Sequence, residues 1–157
     1  MPVINMKRLK CILVIGIYSL LVACQSTSGV GKSFKESLHK QMVHSYCYKY
    51  MYGHDGAATV DYYKAYSWCA KSIITGDSSA MTLMAEMYFF GLGRDKDYTK
   101  SFYWYEQAAK LQHSHAQFML AYSYRNGFGV EKSMITAQDW EERAFSNGHQ
   151  KPINVLK

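Results

Sequence analysis

The three tryptophans of this chain stand at positions 68, 104 and 140, each 36 residues from the next. The same interval separates Tyr52, Tyr88 and Tyr124. It carries the glycine pair Gly91/Gly93 onto Gly127/Gly129, Ala80 onto Ala116, Ala108 onto Ala144 and Lys64 onto Lys100. Ala65 and Ala137, and Gly76 and Gly148, lie two intervals apart in the same register. One ungapped 36-residue register therefore runs through most of the chain. A period between about 20 and 50 residues marks a repeat architecture, in which each unit buries its apolar face only by stacking on the next. Three units in 157 residues leave no length for a second sizeable domain.

Each unit reads as two helices. The Gly-x-Gly loop ends the first, because glycine tolerates the positive φ that a helix C-terminus often needs. The column Asp61/Asp97/Ser133 puts an N-capping residue in front of each second helix. Alanines at 65, 108, 137 and 144 permit close helix approach, and the tryptophan column is expected to fill the groove between neighbouring hairpins. Only two prolines interrupt the whole chain. The fold expected is all-α, a short α/α solenoid of three 36-residue helical hairpins.

The clearest copy runs from Ala116 through Leu120, Tyr124, Gly127, Gly129 and Val130 to Ala137, Trp140, Ala144 and Gly148. This pattern resembles the Sel-one-like repeat, a relative of the tetratricopeptide repeat. The middle copy departs from the family pattern at Ala85, Arg94 and Gln112, which stand for Gly, Val and Gly. The first copy departs further, with His44 for the opening alanine and Asp55-Gly56-Ala57 for the Gly-x-Gly turn. The resemblance covers residues 40–149, with copies at 44–76, 80–112 and 116–148, and leaves 150–157 as a tail. It implies a TPR-like fold and a protein or peptide partner.

The segment ahead of the repeats has another character. Lys7, Arg8 and Lys10 precede an uncharged apolar run from Cys11 to Ala23, which is too short to span a bilayer comfortably and has the layout of an export signal. The run closes Leu21-Val22-Ala23-Cys24, which resembles the bacterial lipobox. That resemblance implies that residues 1–23 are removed and that Cys24 is lipidated and acylated, palmitate being one such acyl group. Gln25 in place of Asp favours the outer membrane, facing the periplasm. Residues 24–39 are then the lipidated cysteine and a flexible tether, small and polar at first, with a helical pattern setting in at Phe34.

Removing the leader changes the arithmetic. The formal charge of +6 falls to +3, and the argument from a pI near 9.1 to nucleic acid falls with it. Cys47 and Cys69 are left as thiols in a compartment that permits disulfides. They lie on the two antiparallel helices of the first copy. A bond between them would staple the most degenerate repeat; two separately buried thiols are the alternative.

No catalytic constellation emerges. Gly31-Lys32-Ser33 lacks the earlier glycine of a phosphate-binding loop, where Ser26 stands. Ser37-Leu38-His39-Lys40 fits S-x-x-K without its companion motifs. His113-Ser114-His115 has no cysteine or carboxylate beside it in sequence and reads as a hairpin junction, so neither metal nor cofactor is expected. The family register places the first helices on a concave face through the columns Tyr46/Thr82/Phe118, Tyr50/Glu86/Tyr122, Gly53/Phe89/Arg125 and His54/Phe90/Asn126. Tyr and Arg are enriched at binding hot spots. The expected contact residues are Tyr46, Tyr50, Glu86, Phe89, Phe90, Phe118, Tyr122 and Arg125. The function expected is a non-enzymatic, lipid-anchored periplasmic adaptor. The alternatives are an immunity protein that neutralises a secreted toxin such as a phospholipase and, further off, a cell-wall or β-lactam hydrolase.

Overall fold

The computed structural model describes residues 33, 35–53 and 59–150. The leader, Cys24, the glycine-containing tether, the Asp55-Gly56-Ala57 turn and residues 151–157 lie outside them. Within them the regular elements are helices: α1 (35–52), α2 (Tyr62–Ile73), α3 (Ser78–Phe90), α4 (Tyr98–Lys110), α5 (Ser114–Asn126) and α6 (Met134–Ser146). Residues 35–39, given above to the tether, are helical and belong to α1.

The caps fall where the repeat puts them. Asp61, Asp97 and Ser133 accept from the backbone N–H three residues on, at 3.0, 3.0 and 3.3 Å, and so start α2, α4 and α6. Gly91 and Gly127 end α3 and α5 in the left-handed region, with φ of +74° and +80°. After each first helix the chain returns to it. The amides of Asp97 and Ser133 donate to the carbonyls of Tyr88 and Tyr124, both at 2.9 Å.

In the first copy the ungapped register fails at this point. The glycine that closes α1 is Gly53, φ +67°, whose amide donates to Lys49 at 2.8 Å. The returning bond runs from the Asp61 amide to the Tyr50 carbonyl at 3.0 Å. Gly53 and Tyr50 each stand two residues ahead of the positions that match Gly91 and Tyr88 by a 36-residue interval. In the first copy the first helix therefore ends two register positions earlier, and the loop after it is two residues longer. Counted back from the closing glycine, Tyr48 aligns with Glu86 and Tyr122, and Tyr52 aligns with Phe90 and Asn126.

Each hairpin packs on the next, α2 on α3 and α4 on α5, through small residues. Ala65, Ala80, Ala85, Ala108, Ala116, Ala137 and Ala144 are all fully buried. Leu83, Met84 and Met87 fill one cluster with Cys47, Met51 and Cys69; Tyr105 and Leu120 fill a second with Ala109. Trp104 packs against both clusters, Trp68 against the first and Trp140 against the second. Arg94, which stands where the family has Val, stacks its guanidinium 3.4 Å from the Tyr66 ring and donates to the Tyr88 hydroxyl at 3.0 Å.

The second glycine of each loop sets how closely hairpins stack. A Cβ on Gly93 would lie 2.6 Å from the Tyr62 Cβ at the start of α2. A Cβ on Gly129 would collide with the Tyr98 carbonyl oxygen at the start of α4. Both also have positive φ. Gly148, φ +88°, has open space around it.

Cys47 and Cys69 are joined in a disulfide that ties α1 to α2, with Cα atoms 4.8 Å apart. Both cysteines are completely buried.

Two stability outcomes are expected in urea denaturation. Gly129→Ala should cost about 3 kcal/mol, since backbone strain and overpacking add, whereas Gly148→Ala should cost about 1 kcal/mol from strain alone. Equal losses would contradict the close-approach account. Removing the disulfide by paired Cys47→Ala and Cys69→Ala should cost about 3 kcal/mol, mainly by loosening the unfolded chain. An unchanged midpoint would contradict it.

Candidate functional site

A groove of about 250 Å³ runs between the first helices of the three hairpins. Its walls are Tyr48 and Tyr52 from α1, Ser79, Thr82, Leu83 and Glu86 from α3, and His113 and His115 at the start of α5. Tyr48 and Tyr52 are one helical turn apart, so they project on the same side. Their ring centroids are 5.0 Å apart, and the residues are 41% and 48% exposed.

Glu86 is the hub of the groove. Its side chain is only 15% exposed. The Tyr52 hydroxyl donates to one carboxylate oxygen at 3.1 Å, and His115 Nε2 lies 3.2 Å from the other. Burial, then the Glu86 charge and the hydrogen bond to it, push the Tyr52 phenol well above its ordinary range, so it remains a donor. Burial, with the Glu86 charge behind it, does the same to Tyr105, whose buried hydroxyl has no hydrogen-bond partner among the described residues.

Two N-caps start the helices that supply much of the groove wall. Asp77 caps α3 through the amides of Ser79 and Ala80. It also accepts from Ser72 Oγ at 2.6 Å and pairs with His44 Nδ1 at 2.7 Å. Burial pushes the Asp77 carboxyl up, but the bonds from Ser72, His44 and the backbone outweigh it and hold it below the usual range. His113 caps α5: its Nδ1 accepts from the Ala116 amide at 3.3 Å. That bond requires the neutral ring. Burial lowers the His113 pKa, and the neighbouring His115 lowers it further.

Of the eight contact residues expected from the sequence, Glu86 lines this groove. Tyr46 and Tyr50 turn toward α2 instead. Tyr46 stacks on Trp68 at 4.8 Å, and Tyr50 packs against the first core cluster with Lys64 over its ring. Phe89 is held between repeats by edge contacts with Tyr98 and Phe128 at 5.2 and 5.4 Å. Phe90 is 56% exposed and Tyr122 is 39% exposed, each with its ring near that of Phe89. Phe118 stacks on His149 at 4.4 Å, and Arg125 is ion-paired with Glu141 on α6. His54 lies outside the described residues. Sequence reading missed Tyr48, Tyr52, His113 and His115. The longer first loop hid the tyrosines, since it takes Tyr48, not Tyr50, into line with Glu86 and Tyr122.

Three consecutive stretches, residues 44–74, 78–113 and 114–149, match the Sel1 repeat. The chain belongs to the Sel1 repeat family. Among solved structures it is similar to a Sel1 repeat protein from Oxalobacter formigenes, with 26% identity and a TM-score of 0.63 over 69% of this chain and 82% of that one. It is also similar to a protective antigen present in uropathogenic Escherichia coli strains, which displays an SLR fold, with 26% identity and a TM-score of 0.66. That match spans 73% of this chain but 24% of the antigen. Cysteine-rich protein B of Helicobacter pylori shares the fold at 19% identity, with a TM-score of 0.58 over 71% of this chain and 89% of that one. No curated protein matches. Among the described residues no group of three or more His, Cys, Asp or Glu is placed to hold a metal ion, and no helix is long and apolar enough to cross a membrane.

The capping role of His113 has a measurable pH signature. Its proton is bound more weakly in the folded state than in the unfolded chain, whose reference value is 6.5. Stability should be full above that value and decline as pH drops below it, because the unfolded state then takes up more protons. His113→Asn keeps a capping side chain and removes the titration. Its stability-versus-pH curve between pH 7 and 5 should be flatter than that of the wild type (about two pH units, centred near the histidine range). Parallel curves would remove His113 from the account.

Proposed function

We propose that this Sel1 repeat protein is a non-enzymatic adaptor that binds another protein through the face shared by its three first helices. The observation that carries this reading is the set of exposed aromatics on the first helices: Tyr48 and Tyr52 line the groove, and Phe90 and Tyr122 hold the matching register positions in the later repeats. Large aromatics half open to water are costly to leave uncovered, and clustered ones mark interaction surfaces. Repeat stacking supports the same reading, because it offers a rigid face built from several units at once.

The finer part of the proposal is location. Cys24 carries the lipid, residues 1–23 are removed, and the repeats face the periplasm from the outer membrane. The basic start, the apolar run and the lipobox-like Leu21-Val22-Ala23-Cys24 support this. Two or more acyl chains hold a protein stably on a bilayer, where one chain holds it marginally.

Site-specific photocrosslinking in cells tests the adaptor reading. A crosslinker at Tyr48 or Tyr122 should capture a discrete protein, and one at Tyr63, which is 75% exposed on α2, should not. Equal, diffuse labelling from all three sites would refute it. For the anchor, Cys24→Ser should abolish palmitate labelling and release the chain from the membrane fraction. Persistent labelling in that variant would refute lipidation at Cys24.

A further inference from the structure

Glu86 is the one charged residue of α3. The acidic residues Asp61, Asp97, Glu106 and Glu141 each pair with a lysine or an arginine. Among the described residues, Glu86 and Asp77 have only a histidine as ion partner. Asp77 is otherwise satisfied, since it accepts from Ser72 and two backbone amides. Among the described residues, Glu86 accepts from Tyr52 and His115 alone. A carboxylate offers about four acceptor sites, and one withdrawn from water is costly unless paired with a cation.

The surroundings of Glu86 say what that cation is attached to. Among the described residues, no lysine or arginine lines the groove. The exposed rings of Tyr48 and Tyr52 stand beside the carboxylate and suit both a methylene stem and a cationic head. A volume of about 250 Å³ accepts one long side chain. It is too small for a helix, which with side chains is about 10–12 Å wide. The exposed Phe90 and Tyr122, the latter at the Glu86 position of the next repeat, extend the aromatic surface beyond the groove.

We propose that the Glu86 groove receives a lysine or arginine side chain from an extended segment of the partner protein, with the carboxylate taking the cationic head and Tyr48 and Tyr52 its stem. The inference rests on the adaptor reading above and adds the chemistry of the partner. His115 gives way from its carboxylate oxygen as the ligand cation arrives. The Tyr52 hydroxyl keeps the other oxygen oriented.

The test uses the full chain and three fluorescent peptides, tetralysine, its fully acetylated counterpart and tetraglutamate, followed by fluorescence polarisation at low salt. Tetralysine should bind, and the other two should not. Glu86→Gln should weaken tetralysine binding by about tenfold or more, the scale of one charge-assisted contact. Glu142→Gln, at an exposed position on α6 outside the groove, should leave it unchanged. Tyr48→Ala changes an exposed side chain and should weaken binding severalfold; it carries the test if the Glu86 variant does not fold. Equal affinity of wild type and Glu86→Gln, equal affinity for the acetylated peptide, or no tetralysine binding at all would overturn the inference. A crosslinked partner that survives Glu86→Gln but is lost on Tyr48→Ala would also overturn it, while leaving the adaptor reading in place.

Discussion

Hairpin stacking here depends on two places where no side chain can be tolerated. Gly93 and Gly129 lie against the first residues of α2 and α4, close enough that a Cβ would strike the neighbouring chain. This contact sets the separation of successive hairpins. The buried alanines then lie between close-packed helices, and Trp104 reaches both core clusters. In a stacked array each unit touches only its neighbours, so an error in one contact is carried into the placement of every unit beyond it. The groove inherits that precision, because its walls come from three hairpins.

Much of the fold was legible in the sequence. The capping column Asp61/Asp97/Ser133 and the left-handed glycines follow from backbone rules that act within a few residues, and the tryptophans were legible from their 36-residue period. The departure at Gln112 is explained by a contact with the next repeat. It occupies the left-handed position held by Gly76 and Gly148 in the other copies, at φ +62°, and its side chain accepts from Asn147 at 2.8 Å. What remained hidden was the end of α1. A two-residue lengthening of a loop leaves no mark in an ungapped register, because the tryptophan and Asp61 columns resume in step after it.

That single slip accounts for most of what was misplaced at the site. Glu86 was found because it is the acidic member of its column. Tyr50 was placed beside it by counting 36 residues, whereas the chain sets Tyr48 there and turns Tyr50 toward the core. Tyr52 was noticed as a repeat marker, yet in the first copy the loop bond made by Tyr88 and Tyr124 has moved to Tyr50. The hydroxyl of Tyr52 instead meets Glu86. His113 was read as a junction residue, and its cap on α5 agrees. Its place in the groove wall comes from packing between hairpins, which no local pattern encodes.

The disulfide between α1 and α2 has a mechanical side. It joins residues 22 apart in the hairpin nearest the chain's start. When a chain of this kind is pulled from its ends, the covalent path skips the segment between the bonded cysteines. At most about 3.4 Å of length comes from each extended residue, so the fully drawn-out chain is shorter by roughly 75 Å. The load passes from α1 to α2 through sulfur rather than through the loop after Gly53. The loop that departs from the repeat thus lies within the stretch of the first hairpin that tension along the chain does not reach.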